Sequence, residues 1–196
     1  CHGVRICGGM DSAAMGEFCR RNGISLIVDA AHPFAQGVHA TVDAVSGELS
    51  LPVIRYEREF PMRDKRIIWC SSFDDAVGKL NNGKITSLLA LTGVNTIPKL
   101  RGYWSRKGNL CHFRVLDRDE SRELAAKAGF PGNRLLYLKD EAITLEGEKE
   151  FIAKISPEAV ITKESGESGF FKEKVEAAFA CGAKVFAVQR PALPES

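Results

Sequence analysis

A histidine and an aspartate follow a short apolar run near the beginning of the chain. The run Ser25–Val28 is followed by Asp29, two alanines, His32, a proline and Phe34. Such a run is typical of a buried parallel strand, and ligands bind beyond the carboxyl ends of these strands in open α/β sheets. We therefore expect Asp29 and His32 at the edge of a sheet, where His32 could donate a hydrogen bond or a proton to a substrate.

Each of these side chains also has a purely structural interpretation. Asp29 could accept hydrogen bonds from backbone N–H groups of the turn at residues 30–32. His32 could cap the helix that is predicted to begin at Ala35. Phe34 could lie against a flat ring of a ligand, or it could simply pack in the core. The residues alone leave these alternatives open.

A second group of polar residues follows the apolar run Ala159–Ile161. Lys163 supplies a full charge, Ser165 supplies a hydroxyl group, and Gly166 allows a ligand to approach the backbone closely. A helix is predicted to begin at Phe170, and the free N–H groups at a helix start attract phosphate or carboxylate. This pattern favours a site for an anion.

Further loops could belong to the same edge. Thr92 and Gly93 end another apolar strand, and their backbone N–H groups could face a phosphate. The guanidinium group of Arg190 follows the last predicted strand, where it could bind a carboxylate or form a surface ion pair. For Lys163 the structural alternative is a solvated surface charge, with Ser168 as the N-cap of the following helix.

Short apolar runs alternate with helical patterns along the chain, as in α/β proteins with parallel sheets. The predicted strands are Ser25–Val28, Val53–Arg55, Ile67–Trp69, Ser87–Leu91, His112–Leu116, Leu135–Leu138, Ala159–Ile161 and Lys184–Val188. The predicted helices are Asp11–Asn22, Ala35–Glu48, Phe73–Leu80, Ile97–Trp104, Asp119–Ala128, Leu145–Ile155 and Phe170–Cys181.

The charged, proline-containing stretch Tyr56–Arg66 is the predicted domain boundary. It separates residues 1–60, the remnant of an N-terminal nucleotide-binding α/β half, from residues 66–196, a C-terminal α/β half. We expect two Rossmann-like parallel-sheet halves with a cleft between them, because such clefts are usual sites for a cofactor and a substrate.

Composition excludes several classes of protein. A net charge of +2 does not favour nucleic acid as a partner, and no apolar run approaches the ~20 residues of a membrane helix. The six cysteines contain no CxxC pair, and no histidine or cysteine pair has zinc-site spacing, so we expect reduced thiols in the cytoplasm and no metal. P-loop, GxSxG and HExxH motifs are also missing from the sequence.

Two motifs in this order resemble the precorrin-6A reductase family of cobalamin biosynthesis. They are Asp29–Ala35 near the beginning and Thr162–Gly166 near the end of the chain. The segments Leu91–Gly93, Lys174–Ala178 and Val188–Pro191 fit the family pattern in order and spacing.

The resemblance implies a reductase that transfers hydride from NADPH or NADH to a tetrapyrrole, precorrin-6A or cobalt-precorrin-6A. It implies catalytic roles for His32 and Asp29. The cofactor-binding residues would be Thr92, Gly93, Lys163, Ser165 and Gly166, and the substrate-binding residues would be Phe34, Lys163 and Arg190. The residues do not distinguish between the two substrates or the two cofactors, and they do not predict an oligomeric state.

One departure from the family concerns the beginning of the chain. Family members open with a strand and a glycine-rich turn that meets the nucleotide, whereas Gly8–Asp11 resembles a later turn. Because such an opening takes ~20–30 residues of a βαβ unit, we expect the N-terminal half to be truncated. The alternative function is therefore a non-catalytic α/β domain that binds an anionic metabolite or nucleotide.

Overall fold

The computed structural model describes residue 6 and residues 8–56, 62–138, 143–166 and 169–191. The chain divides into two compact units, the first running to Glu59 and also taking in Pro191, and the second running from Phe60 to Arg190. Residues 57–61 of the predicted boundary stretch lie outside the described residues, as does Ser168. Within the described ranges, no helix is both long enough and apolar enough to cross a membrane.

Over its described residues, unit 1 is a small α/β arrangement with a pair of parallel strands. Its elements are α1 (Ser12–Arg21), β1 (Ile27–Asp29), α2 (Gln36–Leu49) and β2 (Val53–Arg55). The carboxylate of Asp11 caps α1 by accepting a hydrogen bond from the backbone of Ala14. Because β1 and β2 are parallel, Asp29 lies opposite Arg55 at their carboxyl ends.

Unit 2 contains a six-stranded parallel sheet in the order β3-β8-β7-β4-β5-β6. Its strands are β3 (Ile68–Cys70), β4 (Ser87–Ala90), β5 (Leu110–Leu116), β6 (Leu135–Leu138), β7 (Ala159–Lys163) and β8 (Lys184–Val188). Its helices are α3 (Phe73–Asn82), α4 (Arg101–Trp104), α5 (Asp119–Lys127), α6 (Leu145–Ile155) and α7 (Phe171–Ala180).

The central strands of this sheet are apolar on both faces. Leu88 and Leu89 are adjacent in β4 and therefore point to opposite faces, yet both are fully buried, and the same holds for Val160 and Ile161 in β7. Helices that cover both faces of a parallel sheet produce this pattern. The predicted α/β class with parallel sheets is confirmed.

The predicted helix Ile97–Trp104 is wrong in part. The chain forms two 3₁₀ turns, Val94–Thr96 and Pro98–Leu100, before the single turn of α4. Pro98 lies in the first turn, where a missing N–H group costs no helical hydrogen bond, and the backbone N–H groups of Leu100 and Arg101 donate to carbonyls three residues back, as in a 3₁₀ turn. The carbonyl of Ile97 also accepts a hydrogen bond from Nε1 of Trp104 at 2.8 Å.

A buried ion pair joins strand β5 to helix α6. Nη1 of Arg114 lies 2.5 Å from Oε1 of Glu148, and both side chains are at most 5% exposed. The guanidinium group also stacks on Phe151, 5.0 Å from the ring centroid. Among the described residues, Oε2 of Glu148 is buried without a hydrogen-bond partner. Arg114 is therefore the direct ion-pair partner of Glu148, and Lys174 is a second positive charge that interacts with it.

Replacing Arg114 by methionine should destabilise the protein by up to roughly 3–5 kcal/mol, because Glu148 would be left buried without its direct ion-pair partner. The double substitution Arg114→Met with Glu148→Leu should recover most of this loss. Urea unfolding followed by circular dichroism measures both values. Arg122→Met is the matched control, because its ion pair with Asp117 is exposed and should contribute about 1 kcal/mol or less. Equal losses in Arg114→Met and the control would contradict this account.

Candidate functional site

The order of the strands in unit 2 reverses between β4 and β7. From β4 the chain proceeds outward through β5 and β6, and it then returns to the other side of β4 to form β7 and β8. Ligands of open α/β sheets bind in the crevice beyond the carboxyl ends of the strands at such a switch point. We define the rim of unit 2 as Thr92 and Gly93, which follow β4, together with Lys163, the last residue of β7, and residues 164–166, which follow it.

The Thr92 side of the rim is held by hydroxyl groups. The hydroxyl of Thr96 donates to the carbonyl of Gly93 at 2.7 Å, so it accepts from the hydroxyl of Thr92 at 2.6 Å. Gly93 has a φ of 85°, which favours glycine. Because the hydroxyl proton of Thr92 is used within the loop, this side can offer a ligand mainly backbone N–H groups.

Glu164 anchors the other side of the rim, and the sequence analysis assigned it no role. Its side chain is 6% exposed and accepts two hydrogen bonds of 3.0 Å from the guanidinium group of Arg63. The backbone N–H of Arg190 donates to the same carboxylate at 3.0 Å. Burial raises the pKa of Glu164, but these hydrogen bonds and the nearby positive charges outweigh burial and lower it. A deprotonated Glu164 therefore ties Arg190 to the loop after β7.

The loop after Glu164 is compact. Ser165 is 5% exposed, and the φ of Gly166 is 68°. A Cβ atom at Gly169 would overlap the side chain of Ser165, so this close approach requires glycine. Phe170 has a φ of 52°, and α7 begins one residue later than predicted. With Ser168 outside the described residues, the structure leaves its predicted capping role open.

Two lysines give the rim a positive potential. Burial lowers the pKa of Lys163, and the charge of Lys99 lowers it further. Lys174, in the first turn of α7, donates a 2.6 Å hydrogen bond from Nζ to the carbonyl of Gly169. Burial lowers the pKa of Lys174 to about 8, with help from the charges of Arg114 and Lys163. Phosphate and carboxylate groups are the ligands that such an environment favours.

The carboxyl end of β1 in unit 1 carries the second predicted group. Asp29 is 4% exposed, and its Oδ1 accepts a hydrogen bond from the backbone of Ala31 at 3.1 Å, as the sequence predicted for the turn. Its Oδ2 lies 2.6 Å from Nδ1 of His39 and 3.3 Å from Nε of Arg55. Burial raises the pKa of Asp29, but the hydrogen bonds from His39, Ala31 and Arg55 lower it overall. Asp29 is thus an anion inside a buried network.

His32 and Phe34 lie on the turn that follows Asp29. Nδ1 of His32 accepts a hydrogen bond from the backbone N–H of Phe34 at 3.2 Å, and the two rings lie 5.8 Å apart. The His32 carbonyl accepts from Ala35 at 2.7 Å, one residue before α2 begins. His32 and Phe34 are both partly exposed.

His39 is the functional candidate in unit 1 that the sequence analysis missed. It lies on the buried face of α2 with Val42 and Val45, at a spacing of three residues. A histidine in an otherwise apolar helical stripe, ten residues after an acid at a strand end, was the available signal. Among the described residues, no group of histidine, cysteine and acidic side chains could hold a metal ion.

A family model described as precorrin-6x reductase CbiJ/CobK matches residues 2–196. The chain belongs to this family. The predicted membership, and with it a reductase of the corrin pathway, is confirmed. The assignment of individual side chains to cofactor or substrate remains a prediction.

Relatives and a solved structure resemble the chain over most of its length. It is 28% identical over 183 residues to the cobalt-precorrin-6A reductase of Methanocaldococcus jannaschii, covering 93% of this chain and 70% of that protein. It is 30% identical over 192 residues to the enzyme of the same name from Methanothermobacter thermautotrophicus, covering 95% and 61%. A solved structure of CobK precorrin-6A reductase shares the fold, with a TM-score of 0.77 at 22% identity over 97% of this chain and 75% of that chain.

The lowered pKa of Lys174 predicts a dependence of stability on pH that is unusual for a lysine. Between about pH 8 and the unfolded value of ~10.4, the unfolded chain binds more protons at this position, so this group makes the protein more stable as pH rises. Below that window Lys174 is charged in both states and its burial is a constant cost. The stability of the wild type relative to Lys174→Met should therefore rise between roughly pH 7.5 and 10.

Chemical unfolding at a series of pH values measures this difference. Lys172→Met is the matched control, because Lys172 lies on the exposed side of the same helix. The difference in stability between the wild type and Lys172→Met should not rise over this pH range. A flat difference for Lys174→Met over the same window would contradict the assignment.

Proposed function

We propose that this reductase transfers hydride from NADPH or NADH to cobalt-precorrin-6A. The substrate is supported by the names of the relatives, several of which are cobalt-precorrin-6A reductases. The metal-free macrocycle, precorrin-6A, is the second candidate and is supported by the name of the structural neighbour. A nicotinamide cofactor is supported by the reaction, because reduction of a double bond of the macrocycle needs a hydride donor and a reduced nicotinamide can supply one.

The observation that carries the proposal is the positive, glycine-containing rim at the switch point of the unit 2 sheet. Gly166 has a positive φ, and Gly169 leaves no room for a Cβ atom. Lys163 and Lys174 bring two positive charges close to this backbone. These residues fit the phosphate groups of a dinucleotide or the carboxylate arms of a tetrapyrrole, since both are anions.

We assign Thr92, Gly93, Lys163, Ser165 and Gly166 to the cofactor, and Lys163 together with Arg190 to substrate carboxylates. Lys163 appears in both sets because either anion would satisfy its charge. Glu164 accepts a hydrogen bond from the backbone N–H of Arg190 and so fixes the backbone from which the Arg190 side chain extends. The roles of these residues are binding and orientation.

In unit 1 we assign His32 to orientation of the substrate. Its Nδ1 accepts the Phe34 N–H, so the neutral ring carries its proton on Nε2 and can donate a hydrogen bond there. Phe34 would provide an apolar wall for a flat ring. Asp29 is occupied by His39, Arg55 and Ala31, so its part in catalysis would be to hold the turn.

When bound, the reduced nicotinamide supplies the hydride, and a proton completes the reduction of one double bond of the macrocycle. We also propose a cytoplasmic location. It is supported by the described cysteines, Cys19, Cys70, Cys111 and Cys181, which are all free thiols.

Titration of the chain with NADPH and then NADH, followed by nicotinamide fluorescence, tests the cofactor assignment. Saturable binding is expected, and Lys163→Met should weaken it by roughly 10- to 100-fold, the value of a hydrogen bond to a charged group. Lys172→Met, an exposed lysine on α7, is the matched control and should bind like the wild type.

Turnover under anaerobic conditions, followed by the loss of nicotinamide absorbance, tests the substrate. Faster reduction of cobalt-precorrin-6A than of precorrin-6A is expected. Cofactor binding without turnover of either macrocycle would favour the alternative of a non-catalytic binding domain. A complete lack of nicotinamide binding would overturn the proposal.

A further inference from the structure

His39 makes two polar contacts from a buried position in unit 1. The residue is 4% exposed, and its Nδ1 lies 2.6 Å from Oδ2 of Asp29. Its Nε2 lies 3.2 Å from the backbone carbonyl of His32. A carboxylate and a carbonyl oxygen can only accept hydrogen bonds, so both ring nitrogens of His39 must donate. With Asp29 deprotonated, this geometry corresponds to an imidazolium ion with a proton on each nitrogen.

Asp29 keeps its negative charge opposite this imidazolium. Burial raises its pKa, but the hydrogen bonds from His39 and from the backbone of Ala31 lower it more, and Arg55 adds to them. Arg55 itself is shared, because its Nη2 donates to Asp43 at 2.6 Å. Among the described residues, Asp29 contacts His39 directly, Arg55 contacts Asp29, and Asp43 lies beyond Arg55.

The carbonyl that His39 contacts belongs to the turn that carries the His32 ring. This carbonyl also accepts the Ala35 N–H at 2.7 Å, while the ring accepts the Phe34 N–H. The backbone and the ring of His32 are therefore fixed together. A second proton on His32 would have to displace the Phe34 N–H, at a point close to the cationic His39.

We propose that His39 is a positioning residue: its doubly protonated ring anchors the His32 carbonyl and keeps His32 a neutral hydrogen-bond donor at Nε2. This inference rests on the proposed contact of His32 with the substrate. It adds that the positive charge of His39, and not only its shape, influences the protonation of His32. His39 itself touches neither substrate nor cofactor in this account.

Nitrogen NMR of the full chain labelled with ¹⁵N-histidine tests the protonation states without any need for activity. The four histidines are His2, His32, His39 and His112, and single substitutions by glutamine assign them. At neutral pH, both nitrogens of His39 should show the shifts of protonated nitrogen, whereas His32 should be protonated at Nε2 alone. In Asp29→Asn, His39 should lose its second proton.

Turnover as a function of pH tests the effect of the charge. His39→Gln keeps a donor for the His32 carbonyl but removes the positive charge, so His32 should accept a second proton more readily. The acid limb of kcat should then move to higher pH by roughly half to one unit, the effect of one charge at several ångströms in an effective dielectric of about 20 or more. Ala40→Gln, at an exposed position next to His39 on α2, should leave the profile unchanged.

The outcomes separate this inference from the proposed function. A singly protonated His39 in the wild type would overturn the inference, even if the enzyme reduces its substrate as proposed. A His39→Gln enzyme that loses activity equally at all pH values would also overturn it, because that result indicates a purely structural role. A third outcome would also count against the positioning role. It is an unshifted pH profile of kcat in His39→Gln, found although His32→Gln is inactive and the NMR spectra are as expected.

Discussion

A buried carboxylate that accepts hydrogen bonds from an arginine and from the backbone underlies each of the two candidate regions. In unit 1 it is Asp29, the last residue of β1, which binds Arg55 and the N–H of Ala31. In unit 2 it is Glu164, the first residue after β7, which binds Arg63 and the N–H of Arg190. Each acid stands where a strand ends and a ligand-facing loop begins.

This arrangement makes the loops stiff. Moving a carboxylate out of water costs several kcal/mol unless cations and N–H groups surround it, so neither acid can turn outward without leaving its partners unpaired. The residues beside them, His32 after Asp29 and Lys163 before Glu164, therefore project from backbone that is fixed in position. Ligand-binding side chains supported in this way lose little conformational freedom when a ligand binds.

The strands and most helices were predictable because they depend on local patterns. Val53–Arg55, Leu135–Leu138 and Lys184–Val188 were predicted with the observed bounds, since polar or turn-forming residues flank each apolar run. For the candidate site, sequence patterns suggested candidates beside the strand ends but not the buried groups that hold them in place. Glu164 has its arginine a hundred positions away along the chain, and no periodicity reveals such a pair.

The same distinction explains His39 and Phe170. His39 looks like one more member of an apolar helix stripe until β1 and α2 are packed together, which places it against Asp29. Phe170 adopts a left-handed backbone conformation, which is uncommon for phenylalanine. The residue before it, Gly169, packs closely against the side chain of Ser165. Packing of a helix on a strand decides the role of His39, whereas the contact beside Phe170 joins residues only four positions apart.

The pairing of β3 has a consequence for folding during synthesis on the ribosome. β3 is the first strand of unit 2, and among the described residues it pairs with β8, matching Ile68 to Phe186. During translation β3 must therefore wait for almost the entire unit to emerge before its partner exists. Long-range pairing of this kind is slow, and the edge of β4 that later pairs with β7 stays open to other chains until β7 emerges. The nascent chain of unit 2 therefore exposes an unpaired strand edge, the kind of surface through which incompletely folded chains aggregate.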